Sequence, residues 1–400
     1  ARIGGRYRFH RDPGVLGSPL GTRYVGEMDR LFDTYAELLP KLTEFFRVQF
    51  PKDPDDSDFV YRQATRAKAF DALRGLLPAA SLSNVGIYGT GQAYEALLLR
   101  MRSHPLPEAR TYADLILHEL RKVIPSFLKR VDLADRGVAW STYLATNRTA
   151  MDEVADRLFP ADTPADGAPV VTLTDFDPEA EVKLVTAMLY AHTHVPETQV
   201  EARVRAMSAQ DRLGVVAAYV GDRSNRRHRP GRALERIDYR FDVLADYGAF
   251  RDLQRHRMLT VEWQQLSPRH GFTRPESIDL AGETETFDAA MARSAALHDL
   301  LEPRFPAQAP YAVALAYKVR FVMQMNAREA MHVLELRSGP QGHPAYREVA
   351  QQMHRLVAEQ AGHHAVAEMM RYVDHAPEPS LERLEAERRA AARRSGGSTP

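Results

Sequence analysis

Cysteine is absent from the 400 residues of the sequence. Its absence excludes disulfides, thiolate metal sites and every mechanism that needs a cysteine nucleophile. The chain also lacks an apolar run near the ~18 residues of a membrane-spanning helix, and its first residues contain no apolar signal-peptide core. We therefore expect no membrane partner and a cytoplasmic location.

The chain has no excess charge of either sign, because 53 Lys and Arg side chains balance 53 Asp and Glu side chains. No overall field attracts nucleic acid, so we expect no nucleic-acid partner, and any anion site must be local. Hydrophobic residues make up 44% of the chain and charged residues 26%, which is typical of a globular protein. At roughly 150 residues per domain, the length predicts two or three domains.

Composition divides the chain into segments. Residues 161–169 are dominated by Pro, Asp and Gly, which neither continue a helix nor pack in a strand, so we interpret them as a linker. Residues 1–160 are predicted to be mostly helical. In residues 170–375, apolar and polar residues alternate over 237–243, which predicts a half-buried strand with a helix after it. Residues 376–400 are predicted to be a charged, flexible tail. Helical spacing of apolar residues predicts helices over 25–50, 59–76, 91–105, 108–131, 178–193 and 344–373.

An internal repeat joins the two halves of the chain. Residues 91–105 align without gaps on residues 326–340, which pairs Arg102 with Arg337. An amphipathic helix follows each segment. We interpret this shared order of elements as a duplication.

The densest polar segment is QRHRMLTVEWQQLSPRHGF, residues 254–272. Arg255, His256 and Arg257 come at the end of the helix that follows the alternating strand. Arginine presents bidentate donors that suit the phosphates of a nucleotide. A basic turn on the surface is the alternative interpretation.

A second polar group lies in the segment MNAREAMHVLELRS. Helical spacing brings Arg328, His332 and Arg337 roughly to one side of a helix that begins near Asn326. Asn326 as an N-cap and Arg337 as a complement to the helix dipole are the alternatives. These alternatives explain each residue by itself, but they do not predict that the polar residues occur together on one helix.

Together the two segments resemble the flavin-dependent thymidylate synthase family, which carries an RHR-x7-S-x-R signature and a later NAR and LR segment. The order of these elements is reproduced over residues 180–375, and residues 59–131 resemble a diverged copy of the family's carboxy-terminal half. The resemblance implies an α+β fold, mostly helical with a small antiparallel sheet. Residues 1–160 would be a partial copy and residues 170–375 a complete copy. We expect natural sequence upstream of Ala1.

By this resemblance, the protein would convert dUMP to dTMP, with 5,10-methylenetetrahydrofolate as carbon donor and NADPH-reduced FAD as reductant. Arg337 and Ser267 would be catalytic, and Arg337 would polarise the N3 and O2 edge of the pyrimidine. A homo-oligomer, either a dimer of tandem chains or a tetramer, is implied as well. Residues that would bind FAD are Arg255, His256, Arg257, Asn326, Arg328 and His332. Residues that would bind the substrate are Ser267, Arg269, Gln265, Arg337, Arg74 and Arg102.

The chain departs from the family pattern. Nine residues instead of seven separate RHR from S-x-R, so either a two-residue bulge is present or Gln265 takes the place of Ser267. Pro310 stands where the family has a phosphate-binding arginine, whereas in the first copy Arg74 matches that arginine and Arg102 the pyrimidine-binding one. The two copies are therefore predicted to form a hybrid site, unless Arg74 simply faces solvent. The alternative function is a flavin- or nucleotide-binding protein without methylation activity, acting in regulation or assembly.

Other motifs are less specific. His192, His194 and the pair at 363–364 have no acidic residue at ligand spacing, so we expect no metal site. The glycines of residues 86–91 lack the lysine of a phosphate loop and predict a turn. The basic segment at 222–232 has no aromatic platform, and we interpret it as a solvated or nucleotide-facing loop.

Overall fold

The computed structural model describes residues 2–3, 5–54, 56–160, 163, 167, 169–376, 381 and 384–385. Most of the predicted linker at 161–169 and of the predicted tail at 376–400 lies outside the described residues. The strands are β1 (Arg2–Ile3), β2 (Arg6–Tyr7), β3 (Val171–Phe176), β4 (Asp238–Asp246), β5 (Leu259–Trp263) and β6 (Lys318–Asn326). The helices are α1 (Pro13–Leu16), α2 (Gly21–Gln49), α3 (Asp58–Leu73), α4 (Gly91–Arg102), α5 (Pro107–Arg121), α6 (Pro125–Leu128), α7 (Ala139–Leu158), α8 (Ala180–Tyr190), α9 (Glu197–Arg205), α10 (Ala209–Val220), α11 (Tyr247–Leu253), α12 (Glu276–Leu280), α13 (Thr284–Leu301), α14 (Ala327–Arg337), α15 (Pro344–Glu359) and α16 (His364–Met369).

The chain forms two compact units, and neither is continuous in sequence. Unit 1 comprises Ala1–Met28, Ala80–Gly167 and Ala296–Ala312, and unit 2 comprises the remaining segments Asp29–Ala79, Ala168–Ala295 and Val313–Pro400. These units differ from the predicted division at 161–169, because 29–79 belongs to unit 2 and 296–312 to unit 1. The interpretation of the two halves as a partial and a complete copy concerns ancestry and stays a prediction.

Unit 1 contains a helical core. Side chains of α4, α5 and α6 and of the turn after α6 form it, and its buried members are Leu98, Ala113, Leu117, Leu128 and Val131. The predicted helix over 108–131 is interrupted, since α5 ends at Arg121 and Pro125 begins the separate helix α6. A proline has no amide hydrogen to donate to the preceding turn, which explains the break.

Unit 2 is built on one antiparallel sheet with the strand order β3-β4-β6-β5. Alternate residues of β4 and β6 are buried, including Phe241, which pairs with Met323, and Val243, which pairs with Phe321. The predicted strand at 237–243 is confirmed, and it continues to Asp246 because Lys318 at the start of β6 still pairs with it. Mostly helical structure with a small antiparallel sheet is therefore confirmed.

Helix α15 packs on the buried face of this sheet, and the helix predicted over 344–373 is shorter than expected. It ends at Glu359, and α16 begins at His364. Between them, Gly362 has a φ of 72°, a left-handed conformation that disfavours other residues. Among the described residues, no helix combines the length and apolar character that crossing a bilayer requires.

Candidate active site

The RHR turn, Arg255 to Arg257, lies in unit 2 between α11 and β5. Helix α11 begins because the carboxylate of Asp246 accepts the amide of Ala249 at 2.9 Å, and it ends at Leu253. Strand β5 then pairs with β6 so that Leu259 lies opposite Met325. This register brings the turn beside the start of α14.

His256 is the buried member of the turn, with 4% of its side chain exposed. The Nε of Arg337, at the end of α14, donates to Nε2 of His256 at 2.9 Å. That bond requires a lone pair on Nε2, so the proton of the neutral ring is on Nδ1, 3.5 Å from a carboxylate oxygen of Glu329. The arrangement joins the two predicted segments through Glu329, which sequence reasoning did not select.

His332 lies on the same face of α14 as Glu329, and its ring contacts the ring of His256 at a centroid distance of 5.4 Å. Arg229 donates through Nη2 to Nδ1 of His332 at 3.2 Å. Burial and, secondarily, the charge of Arg229 lower the pKa of His332 below its ordinary value. The neutral ring therefore carries its proton on Nε2, available to a ligand.

His256, Glu329 and His332 each offer one atom within 4.8 Å of the others, a spacing that would suit a metal ion. The hydrogen bonds argue for another role. Arg337 and Arg229 each donate to an imidazole nitrogen, so the opposite nitrogen of each ring carries the proton and has no lone pair for a metal. The group is better described as hydrogen-bonded histidines with fixed tautomers.

The two arginines of the turn lie on the surface. Arg255 has 68% of its side chain exposed and lies 3.5 Å from a carboxylate oxygen of Asp252. Arg257 is also exposed and forms no ion pair with any residue that the structure describes. Both guanidinium groups are therefore available to an anionic ligand.

Asn326 and Arg328 open helix α14. The side chain of Asn326 accepts the amide of Glu329 at 2.9 Å, so the N-cap interpretation is confirmed. Arg328 forms a 3.2 Å ion pair with Glu235 and donates to the carbonyl oxygen of Pro230 at 3.2 Å. These contacts fasten the segment that precedes β4 to the helix.

Ser267, Gln265 and Arg269 lie in the segment after β5. The hydroxyl of Ser267 accepts the amide of Arg269 at 3.4 Å and caps the 3-10 turn Pro268–His270. The ladder between β5 and β6 is regular from Leu259 to Trp263, so no bulge occurs in this fully described strand. The two additional residues of the spacing therefore do not form a bulge within β5.

Arg74, in the 3-10 turn after α3, also belongs to unit 2. Its Nη1 lies 3.4 Å from Asp252, the carboxylate that Arg255 contacts. Its Nη2 is buried and has no hydrogen-bond partner among the described residues. Arg74 lines a cavity of about 590 Å³. Other ionisable residues in its wall are Lys68, Asp71, Asp246, Glu276, His343 and Glu348.

Gly248 allows Arg74 to reach this position. A Cβ at residue 248 would lie 3.3 Å from both Nε and Nη2 of Arg74 and 3.0 Å from a carboxylate oxygen of Asp246. Burial raises the pKa of Asp246, and Arg74 acts in the opposite direction. The solvent-facing alternative for Arg74 is therefore wrong, because one of its donors points into the interior.

Arg102 belongs to unit 1, where each of its three guanidinium nitrogens contacts a partner. Its Nη2 and Nε lie 2.8 and 3.0 Å from the same carboxylate oxygen of Asp114. Its Nη1 donates to the carbonyl oxygen of Val131 at 3.3 Å. Unlike Arg74, Arg102 has no unused donor group.

Residues 172–363 match the family described as thymidylate synthase complementing protein, Thy1. Over 392 residues the chain is 34% identical to a UPF0159 protein of Chlamydia muridarum. The match covers 98% of this chain and 73% of that protein. The chain belongs to the same family as this UPF0159 protein. The resemblance in the RHR and NAR segments is thereby confirmed.

Other UPF0159 proteins are similar to this chain as well. One from Chlamydia pneumoniae is 36% identical over 353 residues, covering 87% of this chain. The match spans 66% of the length of that relative. Another, from Thermoplasma acidophilum, is 28% identical over 418 residues, covering 99% of this chain and 81% of that protein.

Two solved structures are similar to part of the chain. One is flavin-dependent thymidylate synthase ThyX from Helicobacter pylori complexed with FAD and dUMP (18% identity, TM-score 0.34, 47% of this chain and 93% of that chain). The other is the UMP/dUMP methylase PolB from Streptomyces cacaoi bound with 5-Br dUMP (18% identity, TM-score 0.38, 51% and 97%).

Proposed function

We propose that the protein is a flavin-dependent thymidylate synthase, which converts dUMP to dTMP with 5,10-methylenetetrahydrofolate as carbon donor and NADPH-reduced FAD as reductant. The contact between His256 and Arg337 carries the proposal. It joins two motifs that lie 81 residues apart in the sequence and that the Thy1 family shares. A basic surface turn would not need a buried histidine bonded to the end of a distant helix.

The donors present fit FAD. Arg255 and Arg257 offer exposed guanidinium groups for a diphosphate, and the protonated Nε2 of His332 offers a donor for a flavin ring. Asn326, Arg328 and His256 complete the proposed cofactor site. When bound, the reduced flavin supplies the reducing equivalents that convert the transferred carbon to a methyl group.

Arg337 and Ser267 are the proposed catalytic residues. A guanidinium can stabilise negative charge on the uracil ring without a cysteine nucleophile. The Nε of Arg337 is fixed by His256, which Glu329 orients, and its guanidinium carbon lies 5.5 Å from the ring centre of Tyr346. The Nη groups can then donate to the carbonyl oxygen O2, on the N3 and O2 edge of the uracil. This stabilises negative charge on the ring and makes C5 nucleophilic.

The remaining substrate ligands in the proposal come from three segments. Ser267, Gln265 and Arg269 are assigned from the turn after β5. Arg74 is assigned to the phosphate, because it lines a cavity and its buried Nη2 lacks a partner among the described residues. Arg102 is assigned as well, and its ion pair with Asp114 must open for it to contact a ligand.

The proposal includes a homo-oligomer, a dimer of tandem chains or a tetramer. Unit 1 supports it with exposed aromatic side chains, among them Tyr88, Phe127, Trp140 and Tyr143. Trp140 and Tyr143 contact each other at a ring-centroid distance of 5.8 Å, and an exposed apolar patch is typical of an interaction surface. Sedimentation velocity of the purified protein checks the proposal, and a monomer at micromolar concentration would contradict it.

The decisive experiment measures dTMP formation and flavin absorbance in the same preparation. Purified protein loaded with FAD should be bleached by NADPH and should form dTMP when dUMP and methylenetetrahydrofolate are added. Arg337→Ala should lower kcat by ~100-fold or more, since removing one aimed donor to developing charge has effects of this size. Arg355→Ala, at an exposed position of α15, is the matched control.

The flavin content of Arg337→Ala should stay within error of the unsubstituted protein. Protein that binds FAD but forms no dTMP would refute the enzyme proposal and favour the flavin-binding protein without methylation activity. Protein that cannot be loaded with FAD would refute both.

A further inference from the structure

Three arginines lie in a segment to which the proposed function assigns no ligand, and two of them, Arg227 and Arg229, are exposed. The segment comprises residues 222–232 and is called the basic loop. Arg226, Arg227 and Arg229 form no ion pair with any residue that the structure describes. Arg232, in the same loop, is paired with Glu235 at 2.9 Å. Three positive charges are therefore held close together without compensation.

A buried arginine organises the basic loop. Arg223 forms two 2.7 Å bonds to the carboxylate of Glu335 on α14, and the two side chains are only 2% and 1% exposed. The same guanidinium donates to the loop carbonyl oxygens of His228, at 2.6 Å, and Arg226, at 3.4 Å. The loop backbone folds around the guanidinium of Arg223, and the side chains of Arg227 and Arg229 are exposed.

The basic loop reaches the candidate active site. Arg229 donates to Nδ1 of His332, whose ring contacts His256. Its partner is a neutral imidazole, so the positive charge of Arg229 is not cancelled. The charge of Arg226 also lowers the pKa of His332. A site lined by charges of one sign concentrates ligands of the opposite sign.

We infer that the basic loop binds the oxyanion tail of a co-substrate whose reactive ring enters the site beside His332, an inference that rests on the proposed function. Guanidinium groups bind phosphate and carboxylate oxygens in the same bidentate manner. Two sources share this chemistry, the 2′-phosphate of the reductant NADPH and the glutamate carboxylates of the folate. Either one relieves the repulsion among Arg226, Arg227 and Arg229.

The test uses Arg226→Ala/Arg227→Ala, which leaves Arg229 and the buried Arg223 in place. Arg157→Ala/Arg203→Ala removes the same charge from exposed helical positions and is the control. KM is measured for NADPH against NADH, and for folate carrying one glutamate against folate carrying several. In the loop variant we expect KM to rise about tenfold at unchanged kcat, either for NADPH and not for NADH, or for the folate with several glutamates and not for the folate with one. A tenfold rise corresponds to a loss of about 1.4 kcal/mol of binding free energy.

Calorimetric titration with inorganic tripolyphosphate provides a readout that does not depend on activity. Binding should weaken about tenfold in the loop variant and stay unchanged in the control variant. Unchanged KM values together with unchanged tripolyphosphate binding would overturn the inference. Loss of bound FAD would overturn it too, because the loop would then hold the cofactor itself. If the unsubstituted protein forms no dTMP, the proposed function fails while the titration still tests the loop.

Discussion

His343 is held neutral at the start of α15. Its Nδ1 accepts the amide of Ala345 at 3.3 Å. Burial and, secondarily, the charge of Arg74 lower its pKa from 6.5 to about 3. The unfolded chain therefore takes up the proton first as pH falls. The contribution of neutral His343 to stability is complete above pH 6.5 and is lost as pH falls toward 3.

Replacing His343 with asparagine keeps an acceptor for the amide of Ala345 and removes the titration. Between about pH 6 and pH 4, the unfolding free energy of the unsubstituted protein should fall more steeply than that of His343→Asn. The difference in slope is at most about 1.4 kcal/mol per pH unit. Urea unfolding at a series of pH values measures it, with exposed His118→Asn as the control. Equal slopes in both proteins would show that His343 is not the titrating group.

At the residue scale, the sequence predicted which residues are functional better than it predicted which residues contact one another. His256 and Arg337 were predicted to be functional, and the structure joins them directly. Glu329 was not selected, because its role depends on the register that places Leu259 opposite Met325. Contacts of this kind are set by strand pairing between distant segments and leave no local pattern.

At the scale of elements, α14 holds the basic loop through one buried ion pair. Removing one partner of such a pair leaves an uncompensated charge in the interior, which costs about 3–5 kcal/mol. Arg223 would be the stranded charge, because Glu335 supplies both of its carboxylate contacts. The pair is thus a stability requirement for the loop, whatever the loop binds.

Glu335→Ala should therefore lower the unfolding free energy by about 3–5 kcal/mol, and Glu335→Gln by less, because the amide oxygen still accepts one bond. Glu359→Ala, at an exposed end of α15, is the control and should change it by less than about 0.5 kcal/mol. Denaturant midpoints at constant pH rank the three variants. A loss in Glu335→Ala no larger than in the control would contradict the buried-pair interpretation.

Elements with a regular pattern were predictable, and interruptions were not. The alternation at 237–243 identified β4, because one face of the strand is buried. Strand β5 was missed, since three of its five residues are exposed and only β6 defines it. The helix predicted over 108–131 continued too far because apolar spacing outweighed Pro125.

At the scale of the whole molecule, the compact units cross the boundaries of the predicted copies. Residues 29–79, assigned by sequence to the first copy, belong to unit 2 together with the RHR turn and α14. Sequence order alone cannot reveal such an exchange, since helix periodicity does not say which core a helix joins. Arg74 therefore lies in the same unit as Arg337, and the hybrid-site proposal requires this.

Arg74→Ala should raise the dissociation constant for dUMP by roughly 10- to 100-fold while FAD content is unchanged, because a charge-assisted contact contributes about 1.5–3 kcal/mol. Arg102→Ala should have a smaller effect, since Asp114 and Val131 already occupy its donors. Arg62→Ala, exposed on α3, controls for loss of charge on that helix. Equilibrium titration of the FAD-loaded variants with dUMP measures the three dissociation constants. Unchanged affinity in Arg74→Ala would refute the hybrid site, and an equal loss in Arg102→Ala would show that its ion pair opens on binding.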